Sequence, residues 1–407
     1  MAYKHGVYVY ELDTKILGVQ TCDSALPFVV GTAPVHTLPA DKPRPVNEPR
    51  LIFNYKEFVE TFGEVPEGES EEKYTLSQFA KIYFTLYGMS PAVFVNVFDP
   101  AVHKDEQDNP DVTKVTVDDI KGGVDAQTGK RKGMELIDEV FTRFMKVVGY
   151  ILAPGFSHDS SLANIMIAKA TNLNNHFKAM SVIDVPSDII KPADVFTFKQ
   201  NIGSPHAIIC WPRVQFGDVK HYLSGHLAGL SAQVDAKNAN IPYESPSNKE
   251  LRITGPEYIL TIDEANYLNS QGVVTIFRFI GGWKLWGNRT ACFPEKTDIK
   301  DMFIPNRRMA NWIENNLVLL TWQKVDDPMN KRLIETVVNT VNIWLNGLVG
   351  MGFLLGAKVY FRPEDNPTTD LANGIIRFYI TYLAPPPAEV IEYKLEVDVN
   401  YFKTLFG

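Results

Sequence analysis

Gly149-Tyr150-Ile151-Leu152-Ala153-Pro154-Gly155, Ser181-Val182-Ile183-Asp184-Val185-Pro186 and Ala207-Ile208-Ile209-Cys210-Trp211-Pro212 are three short apolar runs, each closed by a proline. Runs this short and this largely apolar read as strands buried on both faces. The segments between them read as helices. Residues 159–170 begin behind Ser157 or Asp159, either of which can cap a helix N-terminus. Residues 189–201 are mostly helical in pattern, and 222–234 form another helix. Upstream, Ile137, Val140, Phe141, Phe144 and Val148 recur at helical spacing over 133–147. Strands alternating with helices, strands short and apolar, predict a parallel or mostly parallel α/β layer. A further strand is expected near 257–262.

On the N-terminal side, Phe28-Val29-Val30-Gly31 and 92–98 read as strands, and 55–62 and 75–87 as helices. This predicts a small α+β domain over 25–99. The polar stretch 100–132, with Gly122-Gly123 and a turn cluster at 125–129, reads as a mobile insertion or a small hairpin. The α/β domain then covers 133–250. On the C-terminal side, 273–279 is a β-branched strand, and 283–290 a compact strand or turn. Residues 304–321 and 329–348 are helices, the second with Ile334, Val337, Val338, Val341, Trp344, Leu345 and Leu348 on one face. Strands at 358–361 and 375–383 complete a C-terminal α+β domain over 251–384. The fold class is therefore multidomain, α/β and α+β.

Both ends carry strand-like segments. After Pro385-Pro386-Pro387, the residues Ile391, Tyr393, Leu395, Val397, Val399 and Tyr401 alternate with polar ones. Strict period two marks a strand with one buried face, and a proline run is a stiff spacer. Residues 385–407 thus read as a C-terminal arm. Residues 1–21 read as an N-terminal arm in which Val7, Tyr8, Val9 and Tyr10 form a β-prone run. Two interpretations are open: strands that complete other subunits' sheets, or edge strands of the protein's own sheet.

Composition excludes several classes. A net charge of −8 and a pI near 5.6 argue against a general nucleic-acid binder. Cys22, Cys210 and Cys292 are far apart, which fits a reduced compartment. No export leader is expected, and the longest apolar run, 343–357, is broken by Asn346 and four glycines, so no membrane insertion is expected. No cofactor, metal or catalytic residue is expected either. His221 and His226 are five apart, which suits no zinc pair, and read as surface or helix-end residues. Gly155-Phe156-Ser157-His158 resembles a nucleophile elbow in topology, but Asp159 replaces its second glycine and no paired base is evident. Gly347, Gly350, Gly352 and Gly356 follow a helix rather than a strand, so they read as close helix packing and not as a dinucleotide loop.

Several segments in order resemble the sheath proteins of contractile phage tails and R-type bacteriocins: HGVYVYE at 5–11, FVVGTAP at 28–34, ILAPG at 151–155, GGWKLWGNRT at 281–290 and YLAPPPAEVIEYKLEV at 382–397. The resemblance covers nearly the whole chain. It implies a structural, non-enzymatic subunit that stacks as homo-oligomeric rings around an inner tail tube and contracts. It also implies baseplate and tail terminator partners, assembly in the host bacterial cytoplasm and residence in the virion. Neighbours would exchange strands through both arms. The receiving strands would include Val359, Phe361, Ile376, Phe378 and Ile380. A tube contact would lie near Lys324, Lys331 and Arg332, a local positive cluster. Within the GGWKLWGNRT segment, Arg289 reads as a structural residue satisfying carbonyls. The competing interpretation is a hydrolase-like α/β enzyme that oligomerises through its terminal strands.

Overall fold

The structure is a computed structural model, and it describes residues 23–405. The strands in chain order are β1 (Pro27–Gly31), β2 (Arg50–Ile52), β3 (Ala92–Asn96), β4 (Gly123–Val124), β5 (Arg131–Lys132), β6 (Tyr150–Leu152), β7 (Met180–Asp184), β8 (Ala207–Cys210), β9 (Val214–Phe216), β10 (Val219–His221), β11 (Gly255–Pro256), β12 (Val273–Phe277), β13 (Lys284–Trp286), β14 (Gly356–Phe361) and β15 (Phe378–Leu383). Eight of them form one sheet in the order β13-β12-β8-β7-β6-β1-β3-β2. The six inner strands are mutually parallel, and β13 and β2 run antiparallel at the two edges.

The apolar runs explain the placement. Successive residues of one strand point to opposite faces, and here both faces are covered. Val182, Ile208 and Val274 enter the main core, while their neighbours Ile183, Ile209 and Val273 enter a second core on the other face. Helix Leu223–Lys237 packs over β6 and β7, and helix Ser160–Thr171 packs over the same pair. A strand buried on both faces favours apolar residues, hence the nearly continuous runs at 150–153, 181–185 and 207–211; the polar exceptions, Ser181 and Asp184, are buried with hydrogen-bond partners.

The mostly parallel layer expected from the alternation is present, but its extent differs from the expectation. β1, β2 and β3 come from the stretch assigned to a separate 25–99 unit, and β12 and β13 from the stretch assigned to the C-terminal one. All five join the same sheet. β1 lies between β6 and β3, with Phe28 opposite both Ile151 and Val93. Parallel pairing is made through crossovers, so proximity along the chain does not report it.

Local outcomes follow the same logic. The strand expected near 257–262 does not form; Thr261 caps helix Ile262–Ser270, its hydroxyl accepting from Glu264 N while the Glu264 carboxylate accepts from Thr261 N. That capping box is the competing signal. The 100–132 stretch closes as the β4–β5 hairpin, packed through buried Val112, Val115 and Ile120. The stretch 75–87 is helical with a π turn over Lys81–Leu86, and 133–144 begins as a tight 3-10 segment.

Helix Ile304–Thr321 docks on the sheet body through a polar face. Asn315 exchanges two hydrogen bonds with the Lys178 backbone, both 2.8 Å. Asn311 donates to the Ala179 carbonyl at 3.1 Å, and buried Arg308 pairs with buried Asp235. Helix Lys331–Gly350 lies beside it, Trp344 against Trp312, and carries the β14–β15 hairpin. Among the described residues no helix is long and apolar enough to cross a membrane.

Candidate functional site

Among the described residues, the arm expected at 385–407 has no strand partner. Among the described residues, no backbone hydrogen bond links 390–397 to any other segment, and Val399–Leu405 forms a 3-10 turn. The alternating apolar face is bare: Leu395 is 97% exposed and Val397 90%. Ile391, Tyr393, Val399 and Tyr401 are likewise exposed. The half-buried strand foreseen by the period-two pattern is thus absent among the described residues, because a strand exists only where another strand accepts its hydrogen bonds. Burying each such side chain is worth roughly 1.5–3 kcal/mol, so this face leaves a large stabilisation unused. Val7, Tyr8, Val9 and Tyr10 lie outside the described residues.

The β14–β15 hairpin holds Val359, Phe361, Phe378 and Ile380. Val359 faces Ile380 and Phe361 faces Phe378. Ile376 falls short of β15. Asn366 takes the backbone of Arg377, accepting from its N–H at 2.7 Å and donating to its carbonyl at 3.0 Å, and this delays the strand to Phe378. Asn342 of the helix beneath does the same for Val359, accepting from its N–H at 3.0 Å and donating to its carbonyl. An amide side chain there occupies the middle of the β14 edge as a neighbouring strand would. β15 shows alternating exposure, with Tyr379 and Leu383 outward.

The positive cluster is locally balanced. Lys324 pairs with Asp327 at 3.3 Å and Lys331 with Glu335 at 3.6 Å. With Asp326 beside them, the three cations Lys324, Lys331 and Arg332 face three acids within 324–335. The helix starts behind Asn330, which accepts from Leu333 N, and cations at a helix N-terminus are not favoured by its dipole.

Elsewhere the structure corrects the polar candidates. His221 and His226 are buried, not on the surface. Their rings stack, with Nδ1 of His221 3.1 Å from Nε2 of His226, and Tyr87 Oη 3.1 Å from His226 Nδ1. Burial pushes His221 down to about 4, and holds His226 well below the usual imidazole range. Ser157 is buried and its hydroxyl accepts from Asp184 N, which leaves no exposed nucleophile. Burial raises Asp184 to about 7, against the opposing hydrogen bonds from Ser224 N and Oγ. Among the described residues no group of histidine, cysteine, aspartate or glutamate side chains could hold a metal ion. The glycines at 347, 350, 352 and 356 pack against nothing: a Cβ added at any of them would meet open space.

Arg289 is not a carbonyl ligand. Its guanidinium lies between the rings of Phe293 and Phe303, 4.3 and 4.1 Å from their centroids, and donates from Nε and Nη2 to the two carboxylate oxygens of Glu389. The arm root and Arg289 line a cleft of about 900 Å3 together with Tyr243, Asn269 and Trp286. Nothing in the local sequence points to a partner one hundred positions away.

Residues 129–291 match the model of the phage tail sheath protein central domain. The tail sheath protein of Burkholderia phage BcepMu is 28% identical, over 100% of this chain and 99% of that one. A putative prophage major tail sheath protein of Pseudomonas aeruginosa is 29% identical, over 98% of this chain and 97% of its own length. Among solved structures, the sheath complex of the PVC extracellular contractile injection system in its contracted state matches with a TM-score of 0.69 at 18% identity, covering 98% of this chain and 99% of that chain. These are structural proteins, and none points to an enzyme family.

Proposed function

We propose, for a chain similar along its whole length to contractile phage tail sheath proteins, that it is the repeating subunit of a sheath that stacks as rings around an inner tube and shortens to drive the tube forward. Subunits are linked by strand donation from both terminal arms. The observation that carries this reading is the bare, strictly alternating face at Ile391, Tyr393, Leu395, Val397 and Val399, in the same molecule as a hairpin of only two strands. A two-stranded sheet is marginal alone and its edges invite another strand. Because Asn342 occupies the middle of β14, the C-terminal arm adds to the outer edge of β15.

The magnitudes suit an assembly that forms late. About five backbone hydrogen bonds at 0.5–1.5 kcal/mol each, with four or five apolar side chains at roughly 1.5–3 kcal/mol each, oppose about 1–2 kcal/mol per ordered residue. A single link is modest, and a closed ring multiplies it. The partners on this reading are copies of the chain, the inner tube protein, the baseplate and the tail terminator. Assembly takes place in the host bacterial cytoplasm and the product resides in the virion. The tube contact lies near Lys324, Lys331 and Arg332 and is weak, because acids balance those charges.

Deleting residues 390–407 tests the reading. Thermal unfolding of the soluble subunit should be unchanged, while sedimentation and electron microscopy should show loss of tubes and rings. Polymers that persist without the arm would overturn it.

A further inference from the structure

The proline run of the C-terminal segment looks, from sequence, like the place where the arm departs. The contacts place that departure later. Ala384 is buried, and its carbonyl accepts a hydrogen bond from Asn306 Nδ2 at 3.1 Å. Pro385, Pro386 and Pro387 then line the cleft that Trp286 and Asn269 also line, with Val390 and Ile391 at its exposed margin. Next comes Glu389, whose carboxylate takes both arms of the Arg289 guanidinium, at 3.1 Å to Nε and 2.5 Å to Nη2. From Val390 onward the side chains are exposed, and no backbone hydrogen bond to the rest of the described chain occurs before the turn at 399.

Arg289 is unusually well prepared for this contact. Its backbone bridges to Phe303, and on either side Thr290 N donates to the Met302 carbonyl at 3.0 Å and Ile304 N to the Asn288 carbonyl at 2.7 Å. The guanidinium is held between two aromatic rings, and its Nη1 lies 2.9 Å from Met302 Sδ. An ordinary exposed ion pair is weak partly because two long side chains must be immobilised to form it. Here the packing has already immobilised the arginine, and a planar fork on a carboxylate adds directionality that a point charge lacks.

We propose that Arg289 and Glu389 form a clamp that fixes the origin and initial direction of the C-terminal arm, so that the arm pivots after Glu389 and the proline run moves with the body. Only the purpose of the arm rests on strand donation; the clamp itself rests on these contacts. Arg289 is a positioning residue on this account: it orients the donated strand without pairing with it.

The pivot is measurable in the soluble, full-length subunit. In a Cys22→Ser chain the two remaining cysteines, Cys210 and Cys292, are buried. Nitroxide pairs at Asp263→Cys with Ala388→Cys, and at Asp263→Cys with Glu396→Cys, report distances from the body to points before and after the clamp. The expected result is a narrow distribution for 263–388 and a broad one for 263–396. Glu389→Gln should broaden 263–388 by about twofold, as for a short flexible tether, with the thermal midpoint unchanged. Arg289→Lys, which keeps the charge and loses the fork, should fall between. A wild-type 263–388 distribution as broad as 263–396 would place the pivot at the prolines and overturn the proposal, as would a Glu389→Gln distribution identical to wild type. Polymerisation of the 390–407 deletion is a separate readout, so loss of the donation reading would leave this one standing.

Discussion

The eight-stranded sheet and the C-terminal hairpin with its arm are built from similar residues and end in opposite states. In the sheet, every residue of β1, β3, β7, β8 and β12 is buried, and alternate side chains fill two cores. In the arm, valines, leucine, isoleucine and tyrosines face solvent. Apolar content therefore does not separate the regions; closure does. The sheet finds its partners within one chain, whereas the arm has none in its own described body. One region is complete within the chain, and the other has an apolar face that nothing among the described residues covers.

Matched substitutions would break that comparison most sharply. Val182→Asp puts a charge between the sheet and its core, where nothing pairs with it, and should cost about 4–5 kcal/mol or more. The expected outcome is insoluble or unfolded protein by circular dichroism. Val397→Asp introduces the same charge on the arm and should leave the thermal midpoint where it is while abolishing polymers. Glu396→Lys, one residue away on the polar side of the alternation, should be tolerated in both assays. Equal effects of the two arm variants on assembly would mean that the segment is not used as a strand.

The next largest effect lies where the Ile304–Thr321 helix meets the sheet body. Arg308 and Asp235 are both buried, and removing one leaves the other without its ion-pair partner, with only Ser24 left on Asp235 or the Tyr150 ring left beside Arg308. Arg308→Ala should cost about 3–5 kcal/mol, measured as a lowered urea midpoint. Arg308→Ala with Asp235→Ala should recover part of it. Lack of coupling in this cycle would show that the Arg308–Asp235 pair does not contribute to docking of the helix.

A pH series sharpens the view of the sheet body. His221 sits near 4 when folded, below its unfolded value, so the unfolded chain binds the extra proton. Its contribution is full above about 6.5 and is lost as the pH falls towards 4. Asp184 sits near 7 when folded, above its unfolded value, so the folded chain binds the extra proton, and its contribution fades as the pH rises from about 4 to 7. The two slopes oppose one another over 4 to 6.5. His221→Gln should therefore make stability rise less steeply with pH across that window than in wild type, and Asp184→Asn should make it rise more steeply. Parallel curves for all three proteins would contradict the assignments.

The smallest effect is expected at the balanced charges. Lys331→Glu with Arg332→Glu should change monomer stability by no more than about 1 kcal/mol. Sheath-only tubes should persist, while assembly on the inner tube should weaken and become less sensitive to salt. Normal co-assembly would remove this surface as a tube contact.

Much was legible from residues alone, for definite reasons. Continuous apolar runs closed by proline located β6, β7 and β8. The helix read over 304–321 matches the Ile304–Thr321 helix to the residue. Signals that act between distant segments were not legible. Asn342 blocks Val359 and Asn366 shortens β15, yet an asparagine in a helix or loop looks the same whether or not an edge strand lies beside it. The buried pair His221 and His226 was misread because spacing reports faces of an element and not what covers them.

By itself the sequence determined the elements and their periods, since helix and strand patterns follow from local geometry and the sidedness of apolar residues. It also determined that the segment after the proline run carries an alternating apolar face. Only the tertiary structure decided that β1, β12 and the strands between them share one sheet, that the arm's face has no cover among the described residues, and that Arg289 holds Glu389. Those facts depend on pairing between segments up to a hundred or more residues apart, where the energy of contact is set by which surfaces the whole chain brings together and not by the order of its residues.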